Sequence, residues 1–417
     1  MVLPSVALVA SYDVVIYGGS SAAVTAAIAA SQNGTRPVAL VEPHSAAGGM
    51  VSVGGLGLND ALDYSYASFL FSGLTNEWLA RVSASYNTTE RVWLPDMHVA
   101  QQAIDGMLAD RPSISVFTGC TLTAASSHSG TIMSITAACA NNASQVFTGR
   151  VFIDASVTGD IIVAAGVSYA WGREGRDAYN ESLAGAMHYG DGEDGSVFPQ
   201  NVSAVYANGT LLPWVMPGAV PPAGAADDGI MAFQHRACVT TDPDRTVFPA
   251  PPGYTRDDFA LLLRLLATGS LGPSPPLSRF MSLIPYSSVV AAHGRHKYMI
   301  CCGGTPFDSD AVTANLGFLG PDALAPGRRA ALDALHTRYL LGMLFFLATD
   351  AAVPNATRAD VGRYGLCSDE WQDAAPVAHW PPALYVREGL RLVNDAVLTQ
   401  STLVNPRLKP DGVAVGA

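Results

Sequence analysis

The residues best suited to chemistry in this sequence form a turn of six small residues after an apolar run near the amino terminus. Small residues let the backbone approach a ligand closely, and free N–H groups at the start of a following helix bind phosphate oxygens. Glu42 ends the next apolar run, 24 residues after the first glycine of the turn. A carboxylate there accepts the hydroxyls of an adenosine ribose and disfavours a 2′-phosphate, so a dinucleotide other than NADP is predicted. The turn comprises Gly18, Gly19, Ser20, Ser21, Ala22 and Ala23.

This turn departs from the usual G-x-G-x-x-G pattern at two of its three glycine positions. Gly18 keeps the glycine that permits the tight turn. Ser20 replaces the second glycine, and its hydroxyl can itself donate to a phosphate oxygen. Ala23 replaces the third and adds one methyl group where helix and strand pack. We therefore predict that the turn still binds a pyrophosphate; a Rossmann-like unit without a nucleotide is the alternative.

Three segments predict the elements that must position the turn. Residues 13–17 form a β-branched run typical of a strand buried on both faces, residues 22–32 an alanine-rich helix, and residues 37–42 a second buried strand. Strand, helix and strand over about thirty residues make a βαβ unit with a right-handed crossover. Further strands are predicted at 114–124, 131–138, 145–148 and 150–155.

The character of the chain changes after about residue 175, where Gly, Pro, Asp and Asn become frequent and long loops are expected. Helices are predicted in this half at 257–268, 328–349 and 384–400. The predicted fold class is therefore α/β. A Rossmann-like parallel sheet covers residues 11–170, and a mixed α+β region over residues 171–417 shapes a substrate cavity.

The composition is that of a globular protein with a large core, since 49% of the residues are apolar and 14% are charged. The net charge of −12 and the pI of about 5.1 disfavour nucleic acids and anionic membranes as partners. The longest strongly apolar run, at 339–348, is shorter than the ~20 residues that cross a bilayer, so a buried helix is predicted there. A small molecule is the expected partner, and the sequence predicts no oligomeric state.

Asparagine and cysteine usage bears on the cellular compartment. Seven of the thirteen asparagines begin Asn-x-Ser/Thr sequons. The six cysteines permit disulfides, and none forms a Cys-x-x-Cys pair, so no metal site is predicted. We expect a glycosylated protein of the secretory pathway, or a cytoplasmic one if the sequons are coincidental. The sequons begin at Asn33, Asn87, Asn142, Asn180, Asn201, Asn208 and Asn355.

Further turns favour FAD over NAD as the dinucleotide. Gly48 and Gly49 follow the second predicted strand, and Gly159 and Asp160 follow the last strand of the predicted sheet. A second nucleotide-proximal turn late in the domain suits a long cofactor. NAD, and with it a dehydrogenase, is the alternative.

The sequence resembles a family of FAD-dependent oxidoreductases related to the glutathione-reductase-like flavoproteins, along almost its whole length. The matching stretches are GGMVSVGGLGLND, MHVAQQAIDGML, VFIDASVTGDIIVAAGVSYAWGREGRDAYNESLAG and FQHRACVTTDP. Some members carry labels that link them to polysaccharide breakdown. Members continue with a strand and a glycine-rich segment that close the flavin site, whereas this sequence stops at DGVAVGA. The resemblance therefore implies a truncated member, with a non-catalytic remnant as the alternative.

The resemblance also implies that FAD is held along its whole length. The residues implied at the pyrophosphate are the turn at 18–23 together with Asp154, Ala155, Gly159 and Asp160. The residues implied at the adenosine are Glu42, Pro43 and the backbone of Leu122, and those at the ribityl chain and flavin ring are Gly48, Gly49 and Met50.

Three neighbouring residues are the candidates for catalysis. His235 can accept a hydroxyl proton as a hydride leaves, and Arg236 can bind a carboxylate or an oxyanion, with Cys238 beside them. If this segment is a strand, Arg236 and Cys238 share one face and His235 lies on the other. The predicted function is hydride transfer from a small polar substrate, such as a sugar derivative, to flavin N5. The alternative is that His235 and Arg236 are structural.

Overall fold

The structure is a computed structural model, and it describes residues 8–32, 36–58, 71–139, 143–186, 201–215, 217, 221–231, 233–301, 324–325 and 327–404. Two main sheets and one two-stranded sheet organise these residues. The strands are β1 (Leu8–Tyr17), β2 (Val38–Val41), β3 (Ile114–Phe117), β4 (Thr121–His128), β5 (Thr131–Cys139), β6 (Ala143–Asp154), β7 (Tyr169–Ala170), β8 (Cys238–Thr240), β9 (Ser282–Pro285), β10 (Lys297–Cys301), β11 (Gly365–Leu366) and β12 (Arg391–Leu392). The α-helices are α1 (Ser21–Ala30), α2 (Gly73–Ser85), α3 (Met97–Ala109), α4 (Asp160–Ala164), α5 (Arg176–Tyr179), α6 (Ala260–Thr268), α7 (Ser288–Ala292), α8 (Arg328–Thr349), α9 (Asn355–Val361) and α10 (Gln400–Val404). Short 3₁₀ turns occupy Gly49–Val51, Arg256–Phe259 and Leu277–Arg279.

The first sheet is rich in parallel pairs and has the strand order β3-β2-β1-β6-β5-β4. β1 pairs in parallel with β2 on one side and with β6 on the other, and β2 pairs in parallel with β3. β4, β5 and β6 form an antiparallel meander. The predicted βαβ unit is confirmed, and the chain reverses its direction of progress across the sheet between β1 and β6. Ligands of open α/β sheets bind beyond the carboxyl ends of the strands at such a point.

Burial on both faces of β1 explains its apolar sequence. Ile16 packs with Val24 of α1 and Leu40 in one core cluster, whereas Val15 packs with Phe147 in another cluster. Since successive side chains of a strand point to opposite faces, each layer must be covered. Helix α1 buries one face, formed by Ala23, Val24, Ala27 and Ile28.

The second sheet has the order β11-β8-β10-β9 and is antiparallel. Its apolar residues share a core cluster with α6 and α8, in which the rings of Phe259 and Phe346 stack with centroids 5.1 Å apart. This arrangement agrees with a mixed α+β second half, while the boundary near residue 170 stays a prediction. Within the described residues, α8 alone is long and apolar enough by length and composition to cross a membrane, and 61% of its apolar window is buried inside the protein.

Two sequence-based assignments are wrong in detail. The strand predicted over residues 114–124 is two strands, β3 and β4, because Gly119 turns the chain between them with φ +65°. The helix predicted over residues 384–400 does not form, and most of the segment has no regular secondary structure apart from β12. Pairing of β12 with β7 holds the backbone there, so tertiary contacts override the helical pattern.

Two disulfides join distant parts of the chain. Cys120 pairs with Cys139 beside the antiparallel meander, and Cys238 of β8 pairs with Cys367 just after β11. The second bond closes a long loop, because its cysteines are 129 positions apart in sequence.

Candidate active site

The turn at residues 18–23 lies where β1 and β6 end side by side. Gly18 has φ +97°, and a Cβ built on it would lie 2.6 Å from the carbonyl oxygen of Ala155. Ala155 in turn donates its N–H to the carbonyl of Tyr17, at 2.8 Å. A side chain at position 18 would therefore push the turn away from the loop after β6. Glycine is required here for the close approach of two backbones.

Glu42 places its carboxylate against the same turn. The side chain is buried, and a Cβ built on Gly19 would lie 2.8 Å from the carboxyl carbon of Glu42. The Oε1 atom accepts the backbone N–H of His44 at 2.7 Å and also contacts the imidazole Nδ1. These contacts fix a negative charge beside the backbone of the turn, at the carboxyl end of β2.

The start of α1 offers unpaired amides. Ser20 is the N-cap residue, and its Oγ accepts the N–H of Ala23 at 3.2 Å while donating to the carbonyl of Ala155 at 2.8 Å. The serine hydroxyl is therefore used by the protein, which corrects the expectation that it donates to phosphate. Among the described residues, the N–H groups of Ser21 and Ala22 have no acceptor. They point from the positive end of the helix dipole, where anions bind.

The glycine pair after β2 packs directly on this turn. The N–H of Gly48 donates to the carbonyl of Gly19 at 2.6 Å. A Cβ built on Gly49 would lie 2.9 Å from the Cα of Ser20. The carbonyl of Met50 accepts the N–H of Leu56 at 2.9 Å and thereby closes the loop that follows. The structure thus brings residues 48–50 against the turn.

The loop after β6 completes this cradle from the other side. Asp154 accepts the backbone N–H of Ile161 at 2.7 Å, and burial raises the pKa of its carboxyl group. Asp160 is buried and contacts the guanidinium of Arg329. Gly159 adopts φ +79° between them. These carboxylates hold the loop in shape, while its backbone at Ala155 contacts the turn.

Leu122 and Pro43, both expected at the adenosine, lie near the end of the sheet, and the expectation for Leu122 needs correction. The N–H of Leu122 donates to the hydroxyl of Tyr17 at 2.9 Å, so this amide serves the fold and is not available to adenine. Pro43 is half-buried directly after Glu42.

The three catalytic candidates are all buried just before or at the start of β8. Cys238 is disulfide-bonded to Cys367, so it has no free thiol, which corrects its assignment as a catalytic residue. His235 has its Nε2 atom 3.3 Å from the Oδ1 of Asp333 and 3.2 Å from the hydroxyl of Thr337. Its Nδ1 is buried and has no hydrogen-bond partner. A neutral imidazole that donates from Nε2 presents a lone pair at Nδ1.

The sequence matches the family of FAD-dependent oxidoreductases over residues 13–417. The chain belongs to this family. It is therefore an oxidoreductase whose cofactor is FAD, and the family match decides against the NAD alternative. No curated protein sequence matches the chain.

Solved structures similar to this FAD-dependent oxidoreductase are remote from it. L-proline dehydrogenase from P. horikoshii is 11% identical with a TM-score of 0.25, and the match covers 42% of this chain and 26% of that one. A geranylgeranyl bacteriochlorophyll reductase-like protein from Thermoplasma acidophilum is 14% identical, with a TM-score of 0.27 and coverage of 38% and 43%. The myxobacterial chondrochloren halogenase CndH is 15% identical, with a TM-score of 0.27 and coverage of 39% and 41%. The match spans less than half the length of each of these chains.

The cradle of the oxidoreductase fits FAD in shape and in donor chemistry. Gly18 leaves room for backbone approach, the free amides of α1 suit a pyrophosphate, and the carboxylate of Glu42 suits ribose hydroxyls. A Cβ on Gly49 would fill the space beside Ser20. The observed residues thus agree with the cofactor of the family.

Sequence reasoning missed a polar stripe on the otherwise apolar helix α8 of the oxidoreductase. Arg329, Asp333 and Thr337 are each four residues apart, so they share one helix face. Arg329 contacts Asp160 of the cradle, and the other two contact His235. A row of polar residues at helical spacing in an apolar helix is the signal that could have found them.

His336 lies beside this stripe and is neutral at pH 7. Burial lowers the pKa of its imidazole to about 4. The side chain is buried, and its ring lies 6.2 Å from that of Phe233. One helix, α8, thus contacts both the cradle and His235, and its own histidine carries no charge at pH 7.

Proposed function

We propose that this oxidoreductase removes a hydride from a small polar substrate, with sugar derivatives as the first class to test. Bound FAD supplies the hydride acceptor. The observation that carries the proposal is the cradle at the carboxyl ends of β1, β2 and β6. There, Gly18 allows two backbones to meet, the amides of α1 are unpaired, and Glu42 supplies a carboxylate.

His235 is proposed to take the proton from the substrate hydroxyl. Its Nε2 faces Asp333 and Thr337, which orients the ring and fixes the tautomer in which Nδ1 accepts. Because Nδ1 has no protein partner, it is free to accept a proton from substrate. Asp333 is a positioning residue in this scheme, since it touches His235 and acts through it.

The test is a spectrum of the purified chain with and without added FAD. We expect a yellow protein that retains about one FAD per chain, and anaerobic bleaching of the flavin by at least one member of a panel of sugars, polyols and sugar acids. His235→Gln should retain FAD yet bleach at least about a hundredfold more slowly, as expected for loss of a general base. A colourless wild-type protein that takes up no FAD would overturn the proposal.

We also propose that the chain passes through the secretory pathway and carries N-linked glycans. Of the seven sequon asparagines, Asn33 and Asn142 lie outside the described residues, and the side chains of the other five are exposed. The two disulfides fit an oxidising compartment. The five exposed positions are Asn87, Asn180, Asn201, Asn208 and Asn355.

Glycosylation is tested by secretion from a eukaryotic host followed by enzymatic removal of N-glycans. We expect a loss of mass on deglycosylation and conversion of several of the five asparagines to aspartate. A variant with all five asparagines replaced by glutamine should show little of this change in mass on deglycosylation. Secretion of a protein without any glycan would refute this part of the proposal.

A further inference from the structure

Arg236 is a buried cation without a protein anion. The residue is 4% exposed, and its Nε and Nη1 atoms are buried without hydrogen-bond partners. Among the described residues, none forms an ion pair with its guanidinium. By contrast, the more exposed Arg338 makes two hydrogen bonds to Asp258, at 2.7 and 2.8 Å. An uncompensated buried charge is strongly unfavourable, so a protein keeps one where a ligand compensates it.

The surroundings of Arg236 add positive charge and rigidity. Its Cζ lies 4.6 Å from the centre of the Tyr385 ring, and the Cζ of Arg387 lies 5.2 Å from the same ring. The N–H of Tyr385 donates to the carbonyl of Gln234 at 2.8 Å, which ties the ring to the segment that carries Arg236. Two guanidinium groups on one fixed aromatic ring favour an anion beside them.

This cationic group adjoins both the cofactor cradle and the proposed base. A Cβ built on Gly55 would lie 3.2 Å from the carbonyl carbon of Arg236, so the arginine packs on the glycine-rich loop that begins at Gly48. His235 immediately precedes it in sequence. We infer that Arg236 binds the carboxylate of the substrate, so that the enzyme acts on a small organic acid. This inference rests on the proposed function.

A carboxylate fits this position better than a phosphate of the cofactor. The unpaired amides of α1 already suit the pyrophosphate, whereas Arg236 packs on Gly55 of the loop that follows the glycine pair. A planar guanidinium matches a planar carboxylate, and Arg236 has no protein carboxylate to satisfy it. The substrate class would be a hydroxy acid such as a sugar acid, whose hydroxyl faces His235.

The experiment is calorimetric titration of the FAD-loaded protein with formate, acetate and oxalate, with acetamide as the neutral probe matched to acetate. We expect saturable binding of at least one anion and none of acetamide. Arg236→Gln should lower the affinity for that anion at least about tenfold, because a charge-assisted hydrogen bond is lost. It should leave FAD content unchanged. Arg256→Gln is the matched control, because Arg256 pairs with Asp350 on the exposed surface.

The outcomes separate this inference from the proposed function. The inference is overturned, while FAD binding stands, if no anion binds the wild-type protein. It is also overturned if an anion binds the wild-type protein and the Arg236→Gln variant equally well. If the variant loses FAD, Arg236 serves the cofactor and the inference is again overturned. If wild-type protein takes up no FAD, the proposed function fails. The same titration of the ligand-free chain then decides whether Arg236 binds carboxylates.

Discussion

Replacing Lys297 with methionine should destabilise the protein by about 3–5 kcal/mol, the cost of leaving buried charges without their partner. Lys297 is 3% exposed, and its Nζ lies 2.8 Å from a carboxylate oxygen of each of Asp369 and Glu370. It also contacts Asp96. Burial lowers the pKa of the ammonium group, but the three carboxylates outweigh burial and raise it overall. Methionine keeps an unbranched apolar side chain but removes the ammonium group, with its charge and its hydrogen-bond donors.

The carboxylates cannot escape to water when the ammonium group is lost. Asp96 accepts the hydroxyl of Tyr86 at 2.6 Å, and Glu370 accepts the backbone N–H groups of Met97 and His98 at 3.1 and 3.0 Å. These bonds hold two buried acids at the start of α3. Ligand atoms of His98, Asp369 and Glu370 lie within 4.8 Å of one another, yet the lysine already supplies the compensating positive charge.

Urea unfolding of the Lys297→Met variant measures the effect. Arg256→Gln removes a cation from the exposed pair with Asp350 and should cost under about 1 kcal/mol. The double variant Asp96→Asn, Lys297→Met should recover part of the loss, because it removes one stranded charge. The prediction is wrong if Lys297→Met lowers the free energy of unfolding by no more than Arg256→Gln does. The contacts of Lys297 with Asp96, Asp369 and Glu370 would then contribute no more to stability than an exposed ion pair.

Local patterns were enough to predict the βαβ unit that carries the candidate cofactor cradle. The strand, the small-residue turn, the helix and Glu42 fall within about thirty residues, and a βαβ unit requires that they meet. The corrections arise where distant residues decide. Ser20 was assigned to phosphate, but its hydroxyl is bound to Ala155, which follows it by 135 residues. The local sequence around Ser20 does not indicate a hydrogen-bond partner at this separation.

The surroundings of the three catalytic candidates could not be predicted from local sequence for the same reason. The sequence favours Arg236 for its chemistry, but only the structure shows that two of its buried nitrogen atoms have no hydrogen-bond partner. Cys238 was read as a thiol because its partner, Cys367, is 129 residues away. The non-helical path of residues 384–400 similarly reflects the pairing of Arg391–Leu392 with β7 rather than the periodicity of the segment.

Gly18→Ala should abolish FAD binding, with a loss of affinity of at least about a hundredfold, or ~2.7 kcal/mol. The backbone at this position has φ +97°, which costs an alanine about 1–2 kcal/mol by itself. The added methyl would also lie 2.6 Å from the backbone of Ala155, which cannot yield as a flexible side chain does. The turn must then move away from the loop after β6, and the amides of α1 move with it.

Gly272→Ala is the matched control for Gly18→Ala. Gly272 has φ +96°, and a Cβ there has nothing within 4 Å, so this variant isolates the backbone strain. The Gly272→Ala variant should be slightly less stable than the wild-type protein and should bind FAD normally, as measured by absorbance titration.

Gly19→Ala is a second variant of the turn, and the atoms nearest to its methyl belong to the side chain of Glu42 rather than to backbone. It should fold, as judged by circular dichroism, yet bind FAD at least about tenfold more weakly. Normal FAD binding by both turn variants would show that the pyrophosphate does not lie at the start of α1.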